Sequence, residues 1–141
     1  MADILTSAER SERMARIRSQ NTAPEMQVRR LLHRLGYRFR LHRADLPGRP
    51  DIVLPGRRTV LFVHGCFWHQ HPDPTCTRAR LPKSRLEYWI PKLQRKAERD
   101  AVHRENLVRA GWHVLEIWEC QTARANALEE TLKRILKHPV T

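Results

Sequence analysis

Residues 60–71 read VLFVHGCFWHQH, and this stretch decides how the rest of the chain can be organised. Its first four residues form an apolar run that is typical of a buried strand. The next eight residues hold three histidines, one cysteine and two adjacent aromatic residues. Imidazole titrates near neutral pH and binds metals, thiolate together with imidazole suits zinc, and aromatic rings outside an apolar context suit stacking on bases. We therefore predict that functional chemistry follows directly on this strand.

The hydrophobic periodicity on both sides of this stretch predicts an α/β domain. Strands are predicted at residues 37–41, 51–54, 59–63 and 113–118. The second and third strands are separated only by a short turn, so we expect them to pair as a hairpin. Helices are predicted at residues 7–18, from the capping box at Thr22 to the stop at Gly36, and at residues 91–110 and 126–137. In the helix at 91–110, the residues predicted to face the core are Leu93, Ala97, Val102 and Leu107.

The length and charge of the chain favour one basic domain. Its 141 residues contain no repeat or linker, so we expect a single domain over residues 1–141. There are 27 Lys and Arg residues against 15 Asp and Glu, which gives a net charge of +12. Such an excess favours a polyanionic partner, because basic side chains release counterions from phosphate. Residues 1–20 are expected to form a DNA-binding arm. The chain lacks an apolar run of membrane-spanning length, so we expect a cytoplasmic protein without a membrane partner.

Three cysteines and one histidine have a spacing that suits a metal. Cys66 and Cys76 lie on either side of His71, with four intervening residues each, and Cys120 follows the last predicted strand. Three thiolates and one imidazole form a known tetrahedral ligand set for structural zinc. The alternative is that the cysteines are small buried apolar residues. We predict the zinc site, because the region between residues 66 and 76 is polar and rich in proline.

Acidic residues and histidines near the same stretch predict hydrolysis of phosphodiesters. Asp51 begins a strand whose hairpin partner ends near His64, and a carboxylate there can hold a hard divalent ion. The alternative is that Asp51, which follows a proline, is only a turn residue. His69 can transfer protons, and Asp100 on the long helix could orient it.

The aromatic residues close to these groups predict contact with DNA. Phe67, Trp68 and Trp89 occur in loop contexts, where rings inserted between base pairs can detect weakened pairing. For Trp89 a place in the core is an almost equal alternative. In the N-terminal arm, Met14 and Arg16 could reach a groove of the duplex.

Four motifs together resemble the very short patch repair (Vsr) endonucleases. They are LPGRPD at residues 46–51, HGCFWH at 64–69, EYW at 87–89, and the segment from Gly111 to Cys120. The resemblance runs from about Arg10 to Cys120. It implies a fold related to type II restriction endonucleases, with a mixed central sheet flanked by helices and a structural zinc. It also implies strand-specific nicking on the 5′ side of the thymine in a T:G mismatch, the product of 5-methylcytosine deamination.

The resemblance also implies roles for individual residues. Asp51 would ligate Mg²⁺ together with the main-chain carbonyl of Val63. His69 would be the general acid–base residue, and His64 would contact phosphate or water. The supporting carboxylates would be Glu25 and Asp100. The intercalating wedge would consist of Phe67, Trp68 and Trp89, with Met14 approaching from the minor groove. The zinc ligands would be Cys66, His71, Cys76 and Cys120.

Two other functions compete with this interpretation. One is a zinc-stabilised module that binds distorted duplex DNA without cutting it, and the other is a nuclease of the same fold with a different specificity. For the mismatch endonuclease we expect a monomer that acts on double-stranded DNA. We also expect a functional link to a cytosine-5 DNA methyltransferase.

Overall fold

A computed structural model describes residues 21–136 as a four-stranded mixed sheet with helices packed against both of its faces. In chain order the strands are β1 (Arg40–Leu41), β2 (Ile52–Leu54), β3 (Thr59–His64) and β4 (His113–Trp118), and their order in the sheet is the same. Strands β1, β2 and β3 pair antiparallel, whereas β3 and β4 run parallel. The helices are α1 (Ala23–Arg34), α2 (Leu86–Arg109) and α3 (Ala125–Leu136). The mixed α/β architecture and the β2–β3 hairpin are therefore confirmed.

The two faces of the sheet bury different helices, because side chains alternate along each strand. Ile52 and Leu61 are paired across β2 and β3, and both pack against α1 and α3 in the larger core cluster. Val53 and Val60 form the next pair and face the opposite side, where they pack with Leu107 of α2. The parallel β3–β4 pair requires a long crossover, and α2 provides it.

Two boundaries differ from the sequence prediction. Of the strand predicted at 37–41, only Arg40 and Leu41 pair with β2, although Tyr37 and Phe39 still pack against the larger core cluster. The long helix begins at Leu86, so Pro91 lies inside the helix, in its second turn, where it cannot donate the backbone hydrogen bond to the carbonyl four residues earlier. Proline at this distance from the helix start therefore did not mark the boundary.

The prediction for the inner face of α2 was half wrong. Leu93 and Leu107 are buried, but Ala97 is exposed and 53% of the surface of Val102 is accessible. The middle of this helix does not pack on an apolar core. Its inward side chains are Lys96, Arg99, Asp100, His103 and Arg104, which line an open cleft. This polar face positions the candidate site.

Some predictions concern residues outside the described range. The predicted helix at 7–18 lies there, as do Met14 and Arg16. Among the helices within residues 21–136, none combines the length and the apolar character needed to cross a membrane.

Candidate active site

One cleft collects six of the residues that the sequence singled out. It has a volume of about 750 Å³ and lies between the start of α1, the adjoining ends of β2 and β3, and the polar face of α2. Its lining includes Asp51, Val63, His64, Trp68, His69 and Asp100. Asp51 and His69 thus lie in the same cleft and not on opposite faces of the molecule.

Asp51 is held at the start of β2 by the neighbouring strand. The Val63 N–H donates a hydrogen bond to Asp51 Oδ2 at 2.7 Å, because β2 and β3 pair antiparallel and bring these two residues together. Burial raises the pKa of Asp51 to about 8, and the nearby Glu25 carboxylate adds to this effect. A carboxylate that is costly to ionise in isolation is well suited to binding a cation.

Glu25 is both a helix cap and part of this site. Its N–H donates to the Thr22 side chain at 3.3 Å, as the capping box predicted, and its carboxylate accepts the Asn21 N–H at 3.2 Å. Only 1% of Glu25 is exposed, and its carboxylate also forms an ion pair with Arg29. The resemblance implied a supporting carboxylate here, whereas the local sequence pattern indicated only a helix cap, since a glutamate in the first turn of a helix is common.

His42 completes a cluster that the sequence analysis missed. One ligand atom each from Glu25, His42 and Asp51 lie within 4.8 Å of one another. His42 Nε2 lies 3.0 Å from Glu25 Oε2, and the His42 N–H donates to the Asp51 carbonyl at 3.2 Å. A single histidine in a basic segment carried no signal for this arrangement, because the contact forms only when β1 pairs with β2.

His69 and Asp100 form a half-buried hydrogen-bonded pair. His69 Nδ1 lies 2.6 Å from Asp100 Oδ2. Burial lowers the pKa of His69, although the hydrogen bond with Asp100 acts in the opposite direction. Burial also disfavours ionisation of Asp100, but its hydrogen bond with His69 and the nearby positive charges outweigh this effect and lower its pKa. A neutral His69 with Nδ1 engaged leaves Nε2 as a proton acceptor.

His64 belongs to a second chain of charged groups. Its Nε2 lies 3.0 Å from Glu116 Oε2, and Arg104 holds the other oxygen of Glu116 at 2.7 Å. The hydrogen bond with His64 is the main reason that the pKa of Glu116 is low. The rings of His64 and His69 are 4.1 Å apart, so both histidines act on the same part of the cleft. Glu116 was missed as well, although an acidic residue inside an otherwise apolar strand was a usable signal.

The four predicted zinc ligands converge. Ligand atoms of Cys66, His71, Cys76 and Cys120 lie within 4.8 Å of one another, and all three cysteines are free of disulfides. His71 Nδ1 lies 3.8 Å from Cys66 Sγ and 3.5 Å from Cys120 Sγ. A tetrahedral zinc site has ligand separations of about 3.5–3.8 Å. Burial raises the pKa of Cys66 to about 12, so a cation is needed to stabilise its thiolate. This group is therefore a possible metal site that includes Cys76.

The three predicted wedge residues form one aromatic cluster at the cleft. The ring centroid of Phe67 lies 5.2 Å from that of Trp68 and 5.3 Å from that of Trp89. None of the three is fully buried, and Lys92 lies over the Trp68 ring at 5.9 Å. Trp89 therefore belongs to this cluster and not to either core cluster. Partly exposed rings next to a cation can contact both bases and phosphates.

Comparison with known proteins identifies the family. The family model described as DNA mismatch endonuclease Vsr matches residues 2–76. The chain is 52% identical over 136 residues to the Type II nicking enzyme V.XorIIP of Xanthomonas oryzae pv. oryzae, covering 96% of this chain and 98% of that protein. It is 37% identical over 137 residues to the Type II nicking enzyme V.NmeAIP of Neisseria meningitidis, covering 97% and 96%. It is 42% identical over 120 residues to the DNA mismatch endonuclease Vsr of Escherichia coli K12, covering 85% of this chain and 75% of that protein. The chain therefore belongs to the Vsr family of DNA mismatch endonucleases.

Proposed function

We propose that this endonuclease nicks double-stranded DNA at T:G mismatches, on the 5′ side of the mismatched thymine, and so starts the repair of deaminated 5-methylcytosine. The observation that carries the proposal is the convergence of Asp51 and the His69–Asp100 pair on one cleft, beside a cluster of aromatic rings. The name of the E. coli relative supports mismatched DNA as the substrate. The net charge of +12 supports a polyanionic one.

Two metal sites belong to the proposal. Asp51 and Glu25 would hold Mg²⁺ together with the main-chain carbonyl of Val63, and the fit rests on two adjacent buried carboxylates whose ionisation a divalent cation would favour. When bound, Mg²⁺ supplies a Lewis acid for the phosphate and lowers the pKa of bound water. A structural Zn²⁺ would be held by Cys66, His71, Cys76 and Cys120.

Side chains of the protein supply proton transfer and contact with the phosphate. His69 Nε2 transfers the proton, taking it from the attacking water or giving it to the leaving oxygen, while Asp100 fixes the ring through Nδ1. His64 contacts the phosphate from its position against the His69 ring. The N-terminal arm contacts DNA through Met14 and Arg16, and the enzyme acts as a cytoplasmic monomer.

The wider context of the proposal follows from the proposed substrate. A T:G mismatch forms when 5-methylcytosine deaminates, so the enzyme has a functional link to a cytosine-5 DNA methyltransferase. A fold related to type II restriction endonucleases is supported by the mixed sheet with helices on both faces.

Replacing His69 by alanine is expected to slow nicking by about 10²–10⁴-fold, the usual contribution of a general acid–base residue. Asp100→Asn is expected to cause a smaller loss and to move the limb of the pH–rate profile that reports His69 to lower pH, because the Asp100 carboxylate raises the pKa of His69. Single-turnover nicking of a T:G duplex from about pH 5 to pH 9 measures both effects. Glu98→Gln, an exposed substitution on the same helix, is the control. An unchanged pH profile in Asp100→Asn would mean that Asp100 does not act through His69.

Replacing Trp68 by alanine is expected to reduce the preference for mismatched DNA more than the general affinity for duplex. Stacking is worth about 1–3 kcal/mol per base, and a mismatched pair costs the least to open. We therefore expect a loss of roughly 5- to 100-fold in the ratio of T:G to T:A affinities. Gel-shift titrations with the two duplexes measure it. An equal loss on both duplexes would contradict the wedge role.

A panel of DNA duplexes tests the proposed specificity. The enzyme is expected to nick T:G duplexes in the presence of Mg²⁺, to leave T:A duplexes intact, and to cut no other mismatch as fast. The second candidate is an endonuclease of this family with a different specificity. Two relatives that are named Type II nicking enzymes, and not mismatch endonucleases, favour considering it. Faster cutting of another mismatch, or of matched DNA, would favour that candidate.

A further inference from the structure

We propose that His42 is a further protein ligand of the proposed catalytic cation, in addition to Asp51, Glu25 and the Val63 carbonyl, and that its imidazole nitrogen gives the site a preference for Mn²⁺ over Mg²⁺. The inference rests on the proposed catalytic role of Asp51. It adds to that role a residue and a metal selectivity that the two carboxylates alone would not produce.

The geometry of the cluster fits a single ion. The nitrogen of His42 and the oxygens of Glu25 and Asp51 all lie within 4.8 Å of one another. The separation of His42 Nε2 from Glu25 Oε2 is 3.0 Å. Two neighbouring ligands of an octahedral ion with bonds of about 2.1 Å are separated by about 3.0 Å. The side chains of Glu25 and His42 are only 2% and 16% exposed, so an ion bound there would be partly shielded from bulk water.

The backbone fixes His42 beside Asp51. The hydrogen bond from the His42 N–H to the Asp51 carbonyl extends the β1–β2 pairing by one residue beyond Leu41 and Ile52. His42 itself has a left-handed conformation, with φ of +47°, which ends the strand at this point. The ring is thus carried on the sheet that also carries Asp51, and its position does not depend on a mobile loop.

The net charge of the cluster favours binding of a cation. Glu25 and Asp51 can contribute two negative charges, and Arg29, whose guanidinium lies against Glu25 and 3.3 Å from His42 Nε2, contributes one positive charge. A third carboxylate would add negative charge, whereas a neutral imidazole adds a ligand without changing the balance. Mg²⁺ strongly prefers oxygen ligands, but imidazole binds well to divalent transition metals. His42 should therefore strengthen binding of Mn²⁺ more than binding of Mg²⁺.

The alternative role for His42 is a hydrogen bond to Glu25 with no contact to metal. His42→Gln separates the two roles, because glutamine can keep a hydrogen bond to Glu25 but removes the imidazole nitrogen. The experiment uses the full-length, zinc-loaded protein and titrates Mn²⁺ while electron paramagnetic resonance reports free Mn²⁺; Mg²⁺ affinity is measured by competition. Pulsed measurements of the bound Mn²⁺ detect coupling to the nitrogen of an imidazole ligand directly.

We expect the wild-type protein to bind Mn²⁺ at least about tenfold more tightly than Mg²⁺ and to show imidazole nitrogen coupling. His42→Gln should lose about tenfold or more in Mn²⁺ affinity, lose the nitrogen coupling, and change Mg²⁺ affinity by less than about threefold. His33→Gln, an exposed histidine on α1, is the matched control and should behave like the wild type.

The outcomes separate this inference from the proposed function. Unchanged Mn²⁺ affinity and retained nitrogen coupling in His42→Gln would overturn the inference, as would equal losses of Mn²⁺ and Mg²⁺ affinity. Asp51→Asn should abolish binding of both ions at this site. If Asp51→Asn bound and cut normally, the proposed catalytic metal site itself would be wrong, whatever the result for His42.

Discussion

Asp51→Asn is expected to abolish nicking, with a loss of at least about 10³-fold, because the proposed catalytic cation would contribute several kcal/mol to stabilising the transition state. Asparagine retains an oxygen that can accept the Val63 N–H, so the start of β2 should keep its geometry. Binding to a T:G duplex in metal-free buffer near neutral pH should be retained, because the Asp51 carboxyl group is mostly uncharged there and asparagine is uncharged as well. Single-turnover nicking and gel-shift titration of the same duplex measure the two effects.

The stability of this variant provides the control. The pKa of Asp51 is about 8 in the folded protein and near 3.8 in the unfolded chain. Between these values the unfolded chain ionises the carboxyl group while the folded protein retains the proton, so the wild type loses stability as pH rises. Asparagine does not titrate. In metal-free buffer we therefore expect the melting temperature of Asp51→Asn to exceed that of the wild type by a margin that grows from about pH 5 to about pH 8.

These two readouts distinguish a catalytic role from a structural one. If Asp51→Asn lost nicking together with its cooperative unfolding, Asp51 would be a structural residue. If the variant nicked at the wild-type rate, the proposed mechanism at Asp51 would be wrong. A Glu98→Gln variant should show neither the loss of nicking nor the pH-dependent gain in stability.

Cys120→Ser is expected to lose bound zinc and to melt about 10 °C or more below the wild type, because a structural metal site contributes several kcal/mol to folding. The Cys120 N–H donates to the Cys66 sulfur at 3.4 Å, so the cluster joins the end of β4 to the segment after β3. Loss of the metal should release that segment, which also carries His69 and the wedge residues Phe67 and Trp68. Nicking should therefore fall along with stability.

Metal analysis and thermal melting with and without a chelator test this prediction. Thr77→Ser, an exposed change next to Cys76 that removes no metal ligand, is the matched control. The wild type should lose stability when it is treated with a strong zinc chelator, and Cys120→Ser should be insensitive to it. Equal melting of the wild type with and without the chelator would contradict a structural metal at this cluster.

The sequence predicted the elements of this fold because their patterns are strong. The short apolar runs at Ile52–Leu54 and Thr59–His64 identified two strands and the turn between them, because continuous apolar runs of this length are typical of strands that are buried on both faces. The boundaries of α2 were less accurate. Proline is tolerated near a helix start, and helical periodicity cannot distinguish a face that packs on a core from one that borders a cleft.

The site was predictable only where its residues were close in sequence or matched a distinctive motif. The four cysteine and histidine ligands converge as expected, since their spacing allowed the chain to turn around one point. His42 and Glu116 were missed for the same physical reason. Each approaches its partner through strand pairing, His42 across β1–β2 and Glu116 across the parallel β3–β4 pair. The position of Glu116 in an apolar strand marked it as unusual, but the sequence identified the partner of neither residue.

The segment between Cys66 and His71 has a consequence for how the enzyme can vary. His69, with its ring hydrogen bonded to α2, lies between two residues whose side chains meet at the cysteine cluster. Inserting or deleting a single residue there would displace the His69 imidazole and one thiol or imidazole of the cluster at once. The length of this six-residue segment is therefore constrained from two sides, by the pairing of His69 with Asp100 and by the meeting of Cys66 and His71 at the cysteine cluster.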